Sequence, residues 1–460
     1  MPESLTRREF MKELGKLGAV ASLAPMVNLE EQASDKAVGL QRPSFIKTQD
    51  EPTSGVDWAN VNRYAEFNTT RRSFTKYVGE EEVNRLTELR AANLDQWLKE
   101  GKDGYTLLDL AMQSGAGSGG VGRSFIGPQK AKTPEDLGVP KWEGTPEEAA
   151  MVVTTALRHM GAATVGFVEL DTNTTEKLIY SHDPDGLELR IEDAEQPEET
   201  EEYRVIPKKA RWAVVYTVQM SEETMARCPT PIGSMTTSLT YRRSENIQQR
   251  LQEFLRGLGY MGIGESSTNA LGIAPAFGVM AGLGELSRLN RLITPEYGPM
   301  VRVFKLLTDL PLAPTKPIDA GIWDFCHDCL KCAEMCPPKN LSFGDATWEV
   351  RGGWNNPGHE AFFENSTACR SYWYSVGTNC GICFAVCPFS SKNLASFNRF
   401  RNSVAAKTRM FNKTFVSLDD LLYSPYRDQP DQPQKSAASW WKQNLPDYGI
   451  DTVQTVRETS

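Results

Sequence analysis

Cys326-His327-Asp328-Cys329-Leu330-Lys331-Cys332-Ala333-Glu334-Met335-Cys336-Pro337 opens the stretch that decides the reading of this chain, and Cys380-Gly381-Ile382-Cys383-Phe384-Ala385-Val386-Cys387-Pro388 closes it. Eight of the nine cysteines fall between Cys326 and Cys387. The first run has the spacing in which three thiolates hold one 4Fe-4S cluster and the fourth reaches a neighbouring one. The second run lacks its earliest cysteine. Cys369, with ten residues between it and Cys380, supplies that thiolate across a loop. The crossing rule assigns Cys326, Cys329, Cys332 and Cys387 to one cluster, and Cys369, Cys380, Cys383 and Cys336 to the other. A zinc ribbon closes a single tetrahedral site and has no use for eight thiolates or two Cys-Pro ends. A disulfide framework belongs to small secreted domains with sparse cores, not to 460 residues of which 40% are hydrophobic. Clusters carry electrons, so the rest of the chain must explain what receives them.

Outward from that stretch, the length allows about three domains. The net charge of -9 and the lack of a basic stretch interleaved with aromatics exclude a nucleic-acid partner and favour small or neutral substrates. Thr6-Arg7-Arg8-Glu9-Phe10-Met11-Lys12 has the form of a twin-arginine export signal, followed by a modest apolar run from Leu17 to Val27 and a cleavage-type Ala19-Val20-Ala21. Such a signal suits a chain loaded with clusters and folded before export. No apolar run reaches the length of roughly 18 residues that a membrane span needs.

Residues 28 to 104 are polar with scattered aromatics, among them Phe45, Trp58, Tyr64 and Trp97, which predicts loops and short helices wrapping a larger body. Gly115 to Gly120 matches a dinucleotide-type glycine pattern but runs on to Gly127-Pro128 instead of a helix, and reads as a flexible loop. The spacing then predicts a helix from Pro146 to Met160, strands at Ala163 to Leu170 and Trp212 to Gln219, and a solvated acidic loop from Glu192 to Glu202. Apolar Ile247, Leu251, Phe254, Leu255 and Leu258 predict a helix from Ser244 to Leu258, stopped by Gly259. A second helix is expected from Ala276 to Leu289. Its glycines, Gly278, Gly282 and Gly284, suggest close approach of another body such as a flat cofactor. Cys228, distant in sequence from the cysteine runs, reads as a buried thiol. After Cys387 come a basic, helical stretch from Asn393 to Arg409, a Pro- and Gln-rich linker near Asp428 to Gln434, and Trp440-Trp441, a tail that closes over the clusters or meets a partner.

The leader, the mixed α/β middle and the displaced first cysteine of the second motif together resemble the corrinoid iron-sulfur reductive dehalogenases. The likeness extends through Gly282-Leu283-Gly284-Glu285, Ile293-Thr294-Pro295-Glu296-Tyr297-Gly298-Pro299 and Leu312-Ala313-Pro314-Thr315-Lys316-Pro317. It implies an α+β protein: a nitroreductase-like α/β cobalamin-binding domain at 141–318 with an inserted or appended bacterial two-cluster ferredoxin-like domain at 319–395. A signal region (1–35), an N-terminal wrapping region (36–140) and a C-terminal tail (396–460) complete the expected organisation.

The resemblance further implies Tyr241, beside the start of the 244–258 helix, as proton donor, with Asn269 and Arg302 as companions and Thr237 and Trp373 lining the substrate pocket. The chemistry agrees. A neutral phenol can donate a proton, an arginine beside it stabilises the phenolate or a departing halide, and Asn269 can hold the halogen. None of His159, His182, His327 or His359 sits in the D-x-H-x-x-G context by which a histidine replaces the lower base of cobalamin, so the corrinoid is expected base-off. Expected partners are a small organohalide, a low-potential electron donor and a small membrane-anchor protein, with the chain outside the cytoplasm on the outer face of the membrane. Two other readings are an epoxyqueuosine-reductase-like corrinoid enzyme, against which the leader and the missing basic surface speak, and a non-catalytic ferredoxin-like electron carrier, which leaves Tyr241, Asn269 and Arg302 without a role.

Overall fold

Trp212–Gln219 is apolar on both parities, the pattern of a strand covered on both faces. It is the middle strand, β2, of an antiparallel sheet ordered β1-β2-β3, with β1 at Thr164–Glu169 and β3 at Val301–Thr308. The register sets Thr164 opposite Thr217 and Arg302 opposite Val218. Because successive side chains point to opposite faces, β2 divides two cores. Ala213 and Val215 face one with Phe277, Leu283 and Leu307; Val214 and Tyr216 face the other with Phe167 and Phe304. The computed structural model describes residues 42–43, 45–390, 401–423 and 432–450, so the expected leader and part of the basic stretch after Cys387 lie outside the described residues. Among the described residues, no helix is long and apolar enough to cross a membrane.

Helices cover both faces. The N-terminal region holds α1 (Glu80–Glu100) and α2 (Leu107–Gly117), the latter opened by a Thr106–Asp109 capping box. The 21 residues of α1 exceed the short helices expected there, because its charged, largely exposed surface leaves little apolar periodicity to read. Gly115 and Gly117 end α2 rather than form a loop, and a Cβ at Gly120 would meet the Glu245 carboxylate at 2.1 Å, so the glycines after α2 allow the chain to lie on the next long helix. Helix α3 (Pro146–Met160) has the expected bounds, with Pro at its start, a Thr145–Glu148 capping box and Gly161 past its end.

Helix α4 runs from Pro231 to Leu258, 28 residues, and thus begins well before Ser244. Its true start carries the usual signals, Thr230 as N-cap and Pro231 in the first turn. The Ser/Thr-rich stretch Ser234–Thr240 lowers helix propensity and hides them. Tyr241 therefore stands in the middle of a helix.

The helix expected from Ala276 to Leu289 is α5, Ala274–Met280 only. Gly282, at φ +67, turns the chain, and Glu285–Leu286 pairs as a short strand with Leu292–Ile293. The close body at those glycines is the protein itself and not a flat cofactor. Cβ atoms at Gly282 and Gly284 would lie 2.1 Å from the Lys316 and Ile293 carbonyl oxygens, and one at Gly278 would meet Leu292 at 2.8 Å.

The cysteine-rich segment adds α6 (Ile322–Asp328) and α7 (Ser366–Ser375). Buried Glu285 caps α6: it accepts from the Ala320, Ile322 and Trp323 backbone N–H groups at 2.8, 2.9 and 3.4 Å and from the Thr53 hydroxyl at 2.7 Å. Cys326, Cys329, Cys332, Cys336 and Cys387 share one apolar core with β2 and α5. In the acidic Glu192–Glu202 run, Glu198–Glu199 forms a short exposed strand beside Tyr203–Pro207. The tail lies chiefly on α2 and the first turns of α4: Trp440 Nε1 donates to Thr224 Oγ1 at 3.1 Å, Trp441 Nε1 to Asp109 Oδ1 at 2.8 Å, and Ala437 packs with Ile232 and Met235. Gln432 and Gln434 also reach a crevice beside Ile382 and Val386.

Candidate functional site

Thr237 and Tyr241 are one helical turn apart on α4 and so share a face. Arg302 and Phe304 are two residues apart on β3 and share the sheet face that α4 covers. The result is a constellation. Arg302 Nη2 donates to Thr237 Oγ1 at 3.1 Å, its guanidinium carbon lies 5.6 Å from the Tyr241 ring centroid and 5.3 Å from that of Phe384, and Phe304 meets Tyr241 edge-on at 5.9 Å. Arg302 Nε is buried without a partner.

Asn269 lies in a loop at φ +65, a conformation asparagine tolerates better than most residues. Arg71 holds that loop by donating to the Thr268 carbonyl. Behind it Glu265 forms a fully buried ion pair with Lys305 and another with Arg123 at 3.0 Å. Arg71 also stands 3.9 Å from the carboxylate of Glu66. Glu66 is buried, its Oε2 has no partner, and burial raises its carboxyl to about 8 against the pull of Lys305 and Arg71.

None of the eight cysteines from Cys326 to Cys387 is in a disulfide. Burial pushes each thiol upward, and each then feels its neighbours. Cys332 senses Cys329, Cys326 and Cys387, with Cys383 last; Cys387 senses Cys326 and Cys329. Cys369 senses Cys383 and Cys336, Cys380 senses Cys228 most and then Cys369 and Cys336, and Cys383 senses Cys380 and Cys336. The eight thiols thus lie close to one another, and their division into two ligand quartets is the expectation of the crossing rule. Backbone amides aimed at sulfur work against burial, from Lys331 on Cys329, Ile382 on Cys380 and Phe389 on Cys387. Among the described residues, no three His, Cys, Asp or Glu side chains are placed to hold a single metal ion. Cys228 is buried as expected but is not distant in space: a Cβ on Gly381 would meet its sulfur at 2.7 Å.

A cavity of about 750 Å³ joins these parts. Tyr241, Asn269, Arg302, Thr237 and Trp373 all line it, together with Cys369 and Cys380 of the second quartet. Helix α7 presents Cys369 and Trp373 four residues apart on one face, so a thiol and a cavity wall belong to the same turn. The wall is mixed. Val56, Ile273 and Val279 offer apolar surface, and Asn355, Asn356 and Asn379 offer amides. Six lining residues bring buried polar atoms without partners: Glu66 Oε2, Thr69 Oγ1, Arg302 Nε, Asn356 Oδ1, Arg370 Nε and Trp373 Nε1. Such a lining suits a large ligand with an apolar face and a hydrogen-bonding edge. Of the four histidines, His359 lines the cavity, and burial lowers its ring below the ordinary value. Glu66, Arg71, Arg291 and Arg370 escaped the sequence reading, since isolated charges in loops carry no periodic signal.

Residues 41–188 and 191–312 match the family model described as Dehalogenase, the reductive dehalogenase subunit. A tetrachloroethene reductive dehalogenase of Sulfurospirillum multivorans is 33% identical over 318 residues, 66% of this chain and 61% of that protein. A trichloroethene reductive dehalogenase of Dehalococcoides mccartyi is 27% identical along 97% of this chain and 98% of its own length. Among solved structures, the catabolic reductive dehalogenase NpRdhA in complex with 3-bromo-4-hydroxybenzoic acid has the same fold, with a TM-score of 0.59 at 22% identity over 85% of this chain and 51% of that one. The chain thus spans about three-fifths of the first relative and half of the solved chain. With its mixed α/β fold and the family model matched along more than half its length, the chain belongs to the reductive dehalogenase family.

Proposed function

We propose that this chain is an oxidoreductase that removes halide from a small organohalide, taking two electrons through two 4Fe-4S clusters and one proton from Tyr241. The observation that carries the reading is the single cavity on which Tyr241, Arg302 and Asn269 meet Cys369 and Cys380. The balance is one carbon–halogen bond broken, one carbon–hydrogen bond formed, and two electrons and one proton consumed. A corrinoid bound in the cavity would supply the cobalt that accepts those electrons and engages the carbon–halogen bond. The two four-thiolate donor sets fit the clusters and the mixed, partly unsatisfied wall fits the corrinoid, held base-off without a protein ligand.

The chain's own residues do the rest. The quartet of Cys326, Cys329, Cys332 and Cys387 takes electrons in, and that of Cys336, Cys369, Cys380 and Cys383 delivers them at the cavity wall. Tyr241 donates its hydroxyl proton to the carbon as halide leaves. Arg302, fixed by Thr237, neutralises the phenolate or the halide, and Asn269 holds the halogen. Trp373 excludes water beside the second quartet. Chlorinated ethenes and halogenated phenols are the substrate classes that the named relatives suggest. The leader motif supports twin-arginine export to the outer face of the membrane, with a small membrane anchor and a low-potential donor as partners.

The test is reconstitution of the leaderless chain, refolded in the presence of iron, sulfide and cobalamin. About one cobalt per chain, a base-off spectrum and halide release from tetrachloroethene or a bromophenol are expected. No cobalt despite full iron would point to an electron carrier instead. In Tyr241→Phe, metal content should hold while turnover falls about 100-fold or more; retained turnover removes Tyr241 from the donor role.

A further inference from the structure

On the cavity wall that also carries Cys369 stands an ion pair to which none of the steps above gives a part. Arg291 follows Asn290, which sits at φ +51 in the turn between the short strands Glu285–Leu286 and Leu292–Ile293. Its Nη2 donates to Glu364 Oε1 at 2.8 Å, and its Nη1 donates to the Asn290 carbonyl at 2.7 Å. Glu364 is largely buried and also accepts from the Ser366 hydroxyl at 2.9 Å, while the indole of Trp354 donates to its backbone carbonyl at 3.2 Å. Both partners line the cavity, as does Cys369. Glu364 stands two residues before Ser366, which opens helix α7, and Cys369 lies in the first turn of that helix.

We propose that Arg291 and Glu364 set the reduction potential of the second cluster, the guanidinium stabilising the added electron and the carboxylate opposing it. The inference rests on the reading that Cys336, Cys369, Cys380 and Cys383 hold a cluster. It adds two residues of the cavity wall that act on electron delivery through their charge. One further hydrogen bond fixes the side chain on each side of the pair, to the Asn290 carbonyl and from the Ser366 hydroxyl. In a partly dehydrated site a fixed charge acts on a neighbouring cluster far more than it would in water. Arg370, one residue from Cys369, is a further cation on the same wall and remains in place in each variant below.

The sign of the effect separates this role from a structural one. In the reconstituted full chain, Arg291→Gln should lower the midpoint of the second cluster and Glu364→Gln should raise it, leaving the other cluster unmoved. A tenfold change in the reduction equilibrium corresponds to about 59 mV for one electron. Arg291→Lys, which keeps the charge, should stay near the unsubstituted protein and guards against misfolding of Arg291→Gln. The measurement is a potentiometric titration followed by electron paramagnetic resonance, with iron counted in every sample. Opposite shifts confined to one cluster support the proposal. Shifts of the same sign, shifts shared by both clusters, or no shift with full iron overturn it while the cluster reading stands. Iron below two clusters in the unsubstituted chain overturns the cluster reading and this inference with it.

Discussion

Tyr241 depends on a cation that another side chain aims. The hydroxyl of Thr237 is the acceptor that fixes Arg302, whose Nε has no other buried partner. Thr237→Val keeps the shape and removes that acceptor. A hydrogen bond to a charged group is worth about 1.5 kcal/mol or more, so a roughly tenfold fall in kcat is expected with KM less affected. Steady-state halide release measures both. Glu66 makes a different prediction. Burial raises it to about 8, and Glu285 is raised to about 7 by burial against its four donors. Both values lie above the ordinary 4.5, so the folded chain holds these protons more tightly than the unfolded chain does. Their contribution to stability is full below about pH 4.5 and is lost as pH rises through 7 and 8. Glu66→Gln cannot ionise, so its melting temperature relative to the unsubstituted chain should rise between pH 5 and pH 9; a constant difference would refute the shift. The two cysteine runs stand out in the sequence because thiolate spacing is local and specific, and Cys369 and Cys380 do meet on the cavity wall. Tyr241, Asn269 and Arg302 were legible only through resemblance, since each by itself is an ordinary residue. Glu66 and Arg291 were not legible at all, because burial of a loop charge is decided by distant chain.

At the scale of elements, α3 and β2 followed directly from periodicity and caps, whereas α4 and α5 did not. The Thr230–Pro231 start of α4 was present in the sequence, but the Ser/Thr-rich turns after it carry no apolar stripe, because that part of the helix faces the polar site and the tail. The expected extension of α5 failed at Gly282, where a left-handed turn brings backbone against backbone. The same turn delivers Glu285 to the start of α6. Glu285→Ala would strand three backbone N–H groups and the Thr53 hydroxyl, a cost of about 2–4 kcal/mol. Urea denaturation should show that loss, and iron should be lost first from the quartet containing Cys326. Equal loss from both quartets would count against a local anchoring role.

For the molecule as a whole, the sheet separates two cores, and the cysteine-rich segment completes one of them instead of closing a core of its own. Phe325, Phe362 and Phe389 pack in the same cluster as Val215 and Phe277. Residues 319–395 alone would expose those aromatics, so the isolated segment is expected to stay unfolded by circular dichroism; a cooperative melt would refute this. The leader and linker were readable as composition, but the sharing of a core was not, because it depends on contacts between residues far apart in the chain. On the proposed cluster reading, burial of Cys326, Cys329, Cys332 and Cys387 to between 6 and 8% exposure imposes a fixed order of manufacture. Iron and sulfide must arrive while the chain is still open, and an empty centre cannot be refilled later without melting the barrier around it. Exchange of labelled iron into the mature protein should therefore be no faster than its unfolding, which makes a chain released empty a permanent loss to the cell.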